Sequence, residues 1–326
     1  MKIAIYGAGA IGGFLGARLA AQAHDVSAIA RGATLAAIRA RGLRLRSQGG
    51  EVAPRVRAED DPATLGVQDL VVVAVKAPAL RDVASRIGPL VGPDTLVLTA
   101  MNGVPWWFFD GMTGRCAGMK LATLDPEGAI ASAIPTRNVV GCVVHASCTT
   151  PEPGVVQHVM GQGLIVGEPA GGASQRTTAL AEALSAAGFE CRVSERIQQD
   201  VWYKLWGNMT MNPVSAFTGV TVDRILDDDL ANGFCWRVME EAKAVGAAIG
   251  CPIEQSVQDR NAVTRKLGAF KTSMLQDVDA GKPIELDALL TVVREIAQRV
   301  NVATPNLDAL LGLVRVFARA RGLYPA

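Results

Sequence analysis

Two periodicities divide this chain. Up to about residue 195 short apolar runs alternate with helical stretches and glycine turns, and beyond it apolar positions recur at helical spacing. Lys2-Ile3-Ala4-Ile5-Tyr6 predicts a short buried strand that runs directly into Gly7-Ala8-Gly9-Ala10-Ile11-Gly12-Gly13, then a helix through Ala21. Residues 25–30 predict a second strand. Residues 70–75 and 96–100 are continuous apolar runs, the kind buried on both faces of a parallel sheet. Residues 139–146, 154–159 and 164–167 alternate with Pro and Gly turns and predict short antiparallel strands completing the sheet. Helices are predicted over 198–212, 229–249, 255–267, 285–299 and 306–320, with Pro213, Pro252, Pro283 and Pro305 at their boundaries.

The glycine run is G-x-G-x-x-G in the strand-to-helix context that gives it meaning. Gly7 permits the tight turn, Gly9 lets backbone approach a pyrophosphate, and Gly12 lets the helix pack closely on the strand. Gly7, Ala8, Gly9, Ala10, Ile11 and Gly12 are therefore the expected cofactor cradle, against the alternative of a purely structural turn. The expected fold is α/β: an N-terminal Rossmann-type dinucleotide-binding domain over 1–195, followed by an all-α C-terminal domain over 196–326. The second strand ends at Ala30-Arg31-Gly32, with no acid for a ribose 2′-hydroxyl and a guanidinium in its place. A 2′-phosphate suits Arg31 better, so the expected cofactor is NADP(H); the bland alternative is a solvated charge ahead of a helix. Lys76 and Asn102 follow the runs 70–75 and 96–100, where ligands meet open α/β sheets: Lys76 is expected to help hold phosphate and Asn102 to donate to nicotinamide or substrate, the alternative for either being a simple strand-end turn residue.

In the second half, Lys204, Asn208 and Asn212 recur every four residues within an otherwise apolar stretch. Each step of four returns to within about 40° of one helix face. Lysine and asparagine are costly to desolvate, and no acids alternate with them, so this stripe asks for a ligand facing the cleft between domains. The competing possibility is the wet side of a surface helix, opposed by Trp202, Leu205, Trp206, Met209 and Met211 around the rest of the circumference. Ser273 and Glu285 are the candidate polar contacts of the segment 271–287, although Glu285, two residues after Pro283, also suits the first turn of a helix. Trp106-Trp107-Phe108-Phe109 lines a substrate cleft or is buried packing, with packing favoured.

Composition narrows the partner. The 326 residues carry 32 basic and 31 acidic side chains, which leaves no electrostatic footprint for nucleic acid or an anionic membrane. No apolar run approaches membrane-span length. The six cysteines are scattered without C-x-x-C or zinc spacing, which points to a reducing, cytoplasmic compartment and no metal. A small molecule is the expected partner, with a homodimer left open.

Together, Gly7-Ala8-Gly9-Ala10-Ile11-Gly12, Ile29-Ala30-Arg31-Gly32, Val75-Lys76, Asn102-Gly103, Lys204-x-x-x-Asn208-x-x-x-Asn212-Pro213 and Ser273-Met274-Leu275-Gln276-Asp277 followed by Glu285-x-Asp287 resemble the ketopantoate reductase family over nearly the whole chain. The resemblance implies NADPH-dependent reduction of a 2-oxo acid to the (R)-2-hydroxy acid, ketopantoate to pantoate, in pantothenate and coenzyme A synthesis. It implies Lys204 as general acid and Glu285 as a substrate-binding carboxylate with it at the catalytic centre. Asn208, Asn212 and Ser273 would hold substrate, Asn102 would touch nicotinamide or substrate, and Arg31 with Lys76 would take the 2′-phosphate. Burial in a semi-apolar cleft would bring a lysine towards working pH. The chain departs from the family where Ala288-Leu289-Leu290-Thr291 replaces an Asn-Gly pair, and where Phe270 and Val220-Thr221-Val222 lack amides often found there. A different, larger or more apolar 2-oxo acid is thus an alternative, as are a related dehydrogenase working oxidatively and a non-catalytic NADPH-binding regulator.

Overall fold

The structure, a computed structural model, describes residues 1–325. Among them ten strands form one sheet: β1 (Lys2–Tyr6), β2 (Asp25–Ile29), β3 (Arg44–Ser47), β4 (Gly50–Val52), β5 (Arg57–Glu59), β6 (Leu70–Val73), β7 (Leu96–Thr99), β8 (Val139–Glu152), β9 (Val155–Gly167) and β10 (Glu190–Ser194). Their order is β4-β3-β9-β8-β7-β6-β1-β2-β5, with β10 pairing β9. Strands β5, β2, β1, β6, β7 and β8 run parallel to their neighbours, while β8 and β9 form a long antiparallel hairpin. The central strands read as unbroken apolar runs because both faces are covered: every residue of β6 is fully buried. Helix α1 (Ala10–Ala21) is itself buried on most sides, through Phe14, Leu15, Ala17 and Leu19, and its Gly16 passes Ile5 of β1 so closely that a Cβ would stand 2.9 Å from Ile5 Cγ1. Burial of each such Leu or Phe stabilises the layer by about 1.5–3 kcal/mol. Helices α2 (Gly32–Arg41), α3 (Leu80–Arg86), α4 (Ala129–Ala133) and α5 (Gln175–Ala186) complete the α/β half.

The remaining helices are α6 (Ile197–Thr218), α7 (Val222–Asp227), α8 (Asp229–Ala248), α9 (Val257–Arg265), α10 (Ser273–Asp279), α11 (Val292–Val300) and α12 (Pro305–Ala320), and a π-helical turn, Asp287–Thr291, leads into α11. This half is all-α. The indole N–H groups of Trp202 and Trp206 on α6 donate to the carbonyls of Ala242 and Met239 on α8, at 3.2 and 2.9 Å, so both rings are buried without an unpaired polar atom. Contacts divide the chain into two units, one of Met1–Met101, Trp107–Thr113 and Glu127–Asp200, the other of Asn102–Trp106, Gly114–Pro126 and Val201–Ala326.

Three expectations need correction. Pro213 does not end its helix: α6 continues to Thr218, because Val214, Ser215 and Ala216 are buried and outweigh the cost of an interior proline, about 3 kcal/mol. The two short strands over 154–159 and 164–167 are one strand, β9, which crosses Gly161 at φ +71° with a register shift against β8. Glu285 stands just ahead of its helix rather than inside the first turn.

Candidate active site

The glycine run serves the geometry required of it. Gly7 has φ +100°, and a Cβ there would meet the Ala74 carbonyl oxygen at 2.9 Å; a Cβ on Gly12 would fall 2.0 Å from the Gly7 carbonyl oxygen. Strand end and helix start are thus pressed together in a way no side chain permits. Gly9, the N-cap of α1, differs: an added Cβ would meet nothing within 4 Å, no side chain caps the helix, and no acid stands in its first turn. The positive end of the α1 dipole and its first N–H groups face open space suited to a pyrophosphate. Ala8 lies in the same turn, and Ala10 and Ile11 are the first two residues of α1.

The parallel register brings three strand ends together. Tyr6, the last residue of β1, pairs with Ile29 of β2 and Val73 of β6. Arg31 follows β2 by two residues as the N-cap of α2, and Lys76 follows β6 by three; both are exposed. Arg31 Nη2 donates to Asp82 Oδ2 of α3 at 2.5 Å. The Tyr6 hydroxyl is buried without a hydrogen-bond partner among the described residues. Burial raises its pKa, the nearby charges of Arg86 and Arg31 pull it down, and that of Asp82 pushes it up.

In the other unit, Lys204 Nζ on α6 donates to Asn102 Oδ1 at 2.7 Å. Asn102 is placed by its loop. Gly103 has φ +83°, a Cβ on it would lie 2.3 Å from the Ala288 carbonyl oxygen, and that same oxygen accepts the Val104 N–H at 2.9 Å. The loop is therefore stitched to the π-helical turn beginning two residues beyond Glu285, which is 6% exposed. Such turns mark functional positions more often than their rarity predicts. Asn208 and Asn212 follow Lys204 on α6, half-buried and buried respectively. Ser273 is exposed at the first position of α10, whose N-terminus is capped by Thr272, Oγ1 accepting from the Leu275 N–H at 3.2 Å. The structure thus joins Lys204 directly to Asn102, carries Asn208 and Asn212 along the same helix, and sets Glu285 beside the turn that holds the Asn102 loop.

Trp106, Trp107, Phe108 and Phe109 are all buried, as packing requires. Trp107 Nε1 donates to Thr99 Oγ1 at 3.3 Å, and its ring lies where Gly141 leaves room. Two features escaped the sequence. Asp82 sits 51 residues from Arg31, so no local spacing announces their pairing. Within 110–137, Ala122 and Thr123 donate their N–H groups to the Glu295 carboxylate of α11 at 2.9 and 2.8 Å, and Gly114–Pro126 belongs to the same unit as that helix.

Comparison with known proteins agrees across the chain. Residues 3–171 match the family described as ketopantoate reductase PanE/ApbA, and residues 196–318 match its C-terminal domain. A 2-dehydropantoate 2-reductase of Mesorhizobium japonicum is 44% identical over 325 residues, covering 99% of this chain and 100% of that protein. A candidate ketopantoate reductase from Ralstonia solanacearum MolK2 superposes with a TM-score of 0.96 at 58% identity, covering 99% of each chain. The 2-dehydropantoate 2-reductase of Methylococcus capsulatus is more distant, at 30% identity and TM-score 0.84 over 98% of each chain. The chain belongs to the ketopantoate reductase family.

Proposed function

We propose that this chain catalyses NADPH-dependent reduction of 2-dehydropantoate to (R)-pantoate, the step that supplies pantothenate and coenzyme A synthesis. The observation that carries it is the Lys204 to Asn102 hydrogen bond at 2.7 Å, on a stripe continued by Asn208 and Asn212. The names of the Mesorhizobium and Methylococcus relatives support the same substrate. The residues around Gly9 and Arg31 fit a dinucleotide: an open, uncapped helix N-terminus for pyrophosphate, and a guanidinium with Lys76 for a 2′-phosphate.

Bound NADPH supplies the hydride. The chain's own task is to hold the ketone and manage the oxygen's charge as it becomes an alkoxide. The Lys204 ammonium has three N–H donors, and giving one to Asn102 Oδ1 fixes the direction of the others. Directed at the substrate oxygen, it stabilises the negative charge and then delivers the proton at Nζ. With Oδ1 occupied, the NH2 half of Asn102 would be the donor available to nicotinamide or substrate. Asn208, Asn212 and Ser273 supply donors for the substrate carboxylate without a second full charge, and Glu285, buried, accepts from a substrate hydroxyl. Six free thiols suit a reducing cytoplasm, and among the described residues no helix is long and apolar enough to cross a membrane.

NADPH oxidation by the purified protein, followed over a panel of 2-oxo acids that includes ketopantoate, tests the reading. Ketopantoate should give the highest kcat/KM and an (R)-product. A bulkier 2-oxo acid turned over better by orders of magnitude would replace the substrate. Ala288–Leu290 and Phe270, all apolar, favour that second reading.

A further inference from the structure

The second strand ends without the acid that would select a ribose hydroxyl, yet the folded chain brings one to the same place. Asp82, in the first turn of α3, takes the Arg31 guanidinium at 2.5 Å, with 58% and 48% of the two side chains exposed. The pair stands at the carboxyl ends of β1, β2 and β6, where Tyr6 buries a hydroxyl with no hydrogen-bond partner among the described residues. A buried phenol rarely goes unsatisfied, and one left so beside a charged cluster marks a place where a ligand oxygen completes the set. We propose that Asp82 is a selectivity residue for the cofactor: its carboxylate competes with the adenosine 2′-phosphate for Arg31, and so sets how strongly the chain prefers NADPH to NADH.

The physical reason is like-charge exclusion at one donor. A phosphate monoester carries close to two negative charges at neutral pH. It can take the bidentate face of Arg31 only by displacing the carboxylate or by sitting against it, and both weaken binding. A cofactor without the 2′-phosphate meets no such competitor, and there the carboxylate can accept the ribose 2′-hydroxyl, the part usually taken by an acid at the end of the second strand. Asp82 therefore narrows the gap between the two cofactors from both sides. Because the pair is exposed, the competition is screened by salt.

This inference rests on Arg31 meeting the 2′-phosphate, and the test separates the two. Calorimetric binding of 2′,5′-ADP and 5′-ADP is measured for the native chain, Asp82→Asn and Arg31→Ala. Asp82→Asn should tighten 2′,5′-ADP by about 3- to 10-fold, leave 5′-ADP no tighter, and lose this advantage at high salt. The KM for NADPH should fall by the same factor, with the change carried by KM rather than kcat. Arg31→Ala should abolish the preference for 2′,5′-ADP. If Arg31→Ala does so but Asp82→Asn leaves 2′,5′-ADP unchanged or weaker, the competition is refuted while the phosphate reading stands. If Arg31→Ala changes nothing, both fall.

Discussion

The Lys204 site and the Arg31 site are built in opposite ways. Around Lys204 the partner residue is held by backbone: the Asn102 loop turns through a positive φ at Gly103 and is bonded to Ala288 in the π-helical turn. Around Arg31 the guanidinium meets the short Asp82 carboxylate, and both side chains are about half exposed. The contrast suits the roles proposed for them: a group that protonates a reacting oxygen must be placed closely, which packed backbone achieves. A group that recognises a phosphate needs charge within reach, and exchange with another anion is tolerated or useful.

The contrast can be broken at its stronger end first. Lys204→Ala should lower kcat by about 10²- to 10⁴-fold while NADPH binding, followed by fluorescence titration, stays within about 2-fold. Retained turnover would remove the lysine from the chemistry. Gly103→Ala should cost about 3 kcal/mol or more in urea unfolding, since a Cβ there meets the Ala288 carbonyl at 2.3 Å on a residue with φ +83°. Unchanged stability would show that the loop is not stitched as described. Arg31→Ala, by comparison, should leave urea unfolding within about 0.5 kcal/mol and raise the KM for NADPH by about 10-fold, with little effect on NADH. Equal effects on both cofactors would take the 2′-phosphate away from Arg31. The smallest effect is a difference in salt response: going from about 0.01 M to about 1 M salt should weaken the NADPH preference but leave the stability cost of Gly103→Ala in place. Parallel responses would mean the two sites are not built differently.

Much of this was legible in the chain. A strand whose last four residues are buried, running into Gly7, and a helix opening at Ala10 follow from local sterics, because φ +100° suits glycine and only glycine tolerates the approach at Gly12. The apolar runs of β6 and β7, and the periodic segments that became α8, α9, α11 and α12, were visible for the same local reason. The four-residue stripe from Lys204 was equally plain, since helix geometry converts spacing into a face. Pro213 misled because proline's penalty is local and the burial that overrides it is not. Strand β9 looked like two strands because a glycine bulge and a turn are indistinguishable in one dimension.

What the sequence determined by itself was therefore what depends on neighbours along the chain: the dinucleotide turn, the two kinds of element, and the polar stripe on an apolar helix. The tertiary structure alone decided which side chains meet across it. Lys204 finds Asn102 from 102 residues away, Gly103 closes on Ala288, and Arg31 acquires a carboxylate that its own strand lacks. Those pairings follow from strand register and helix packing, which no local spacing encodes.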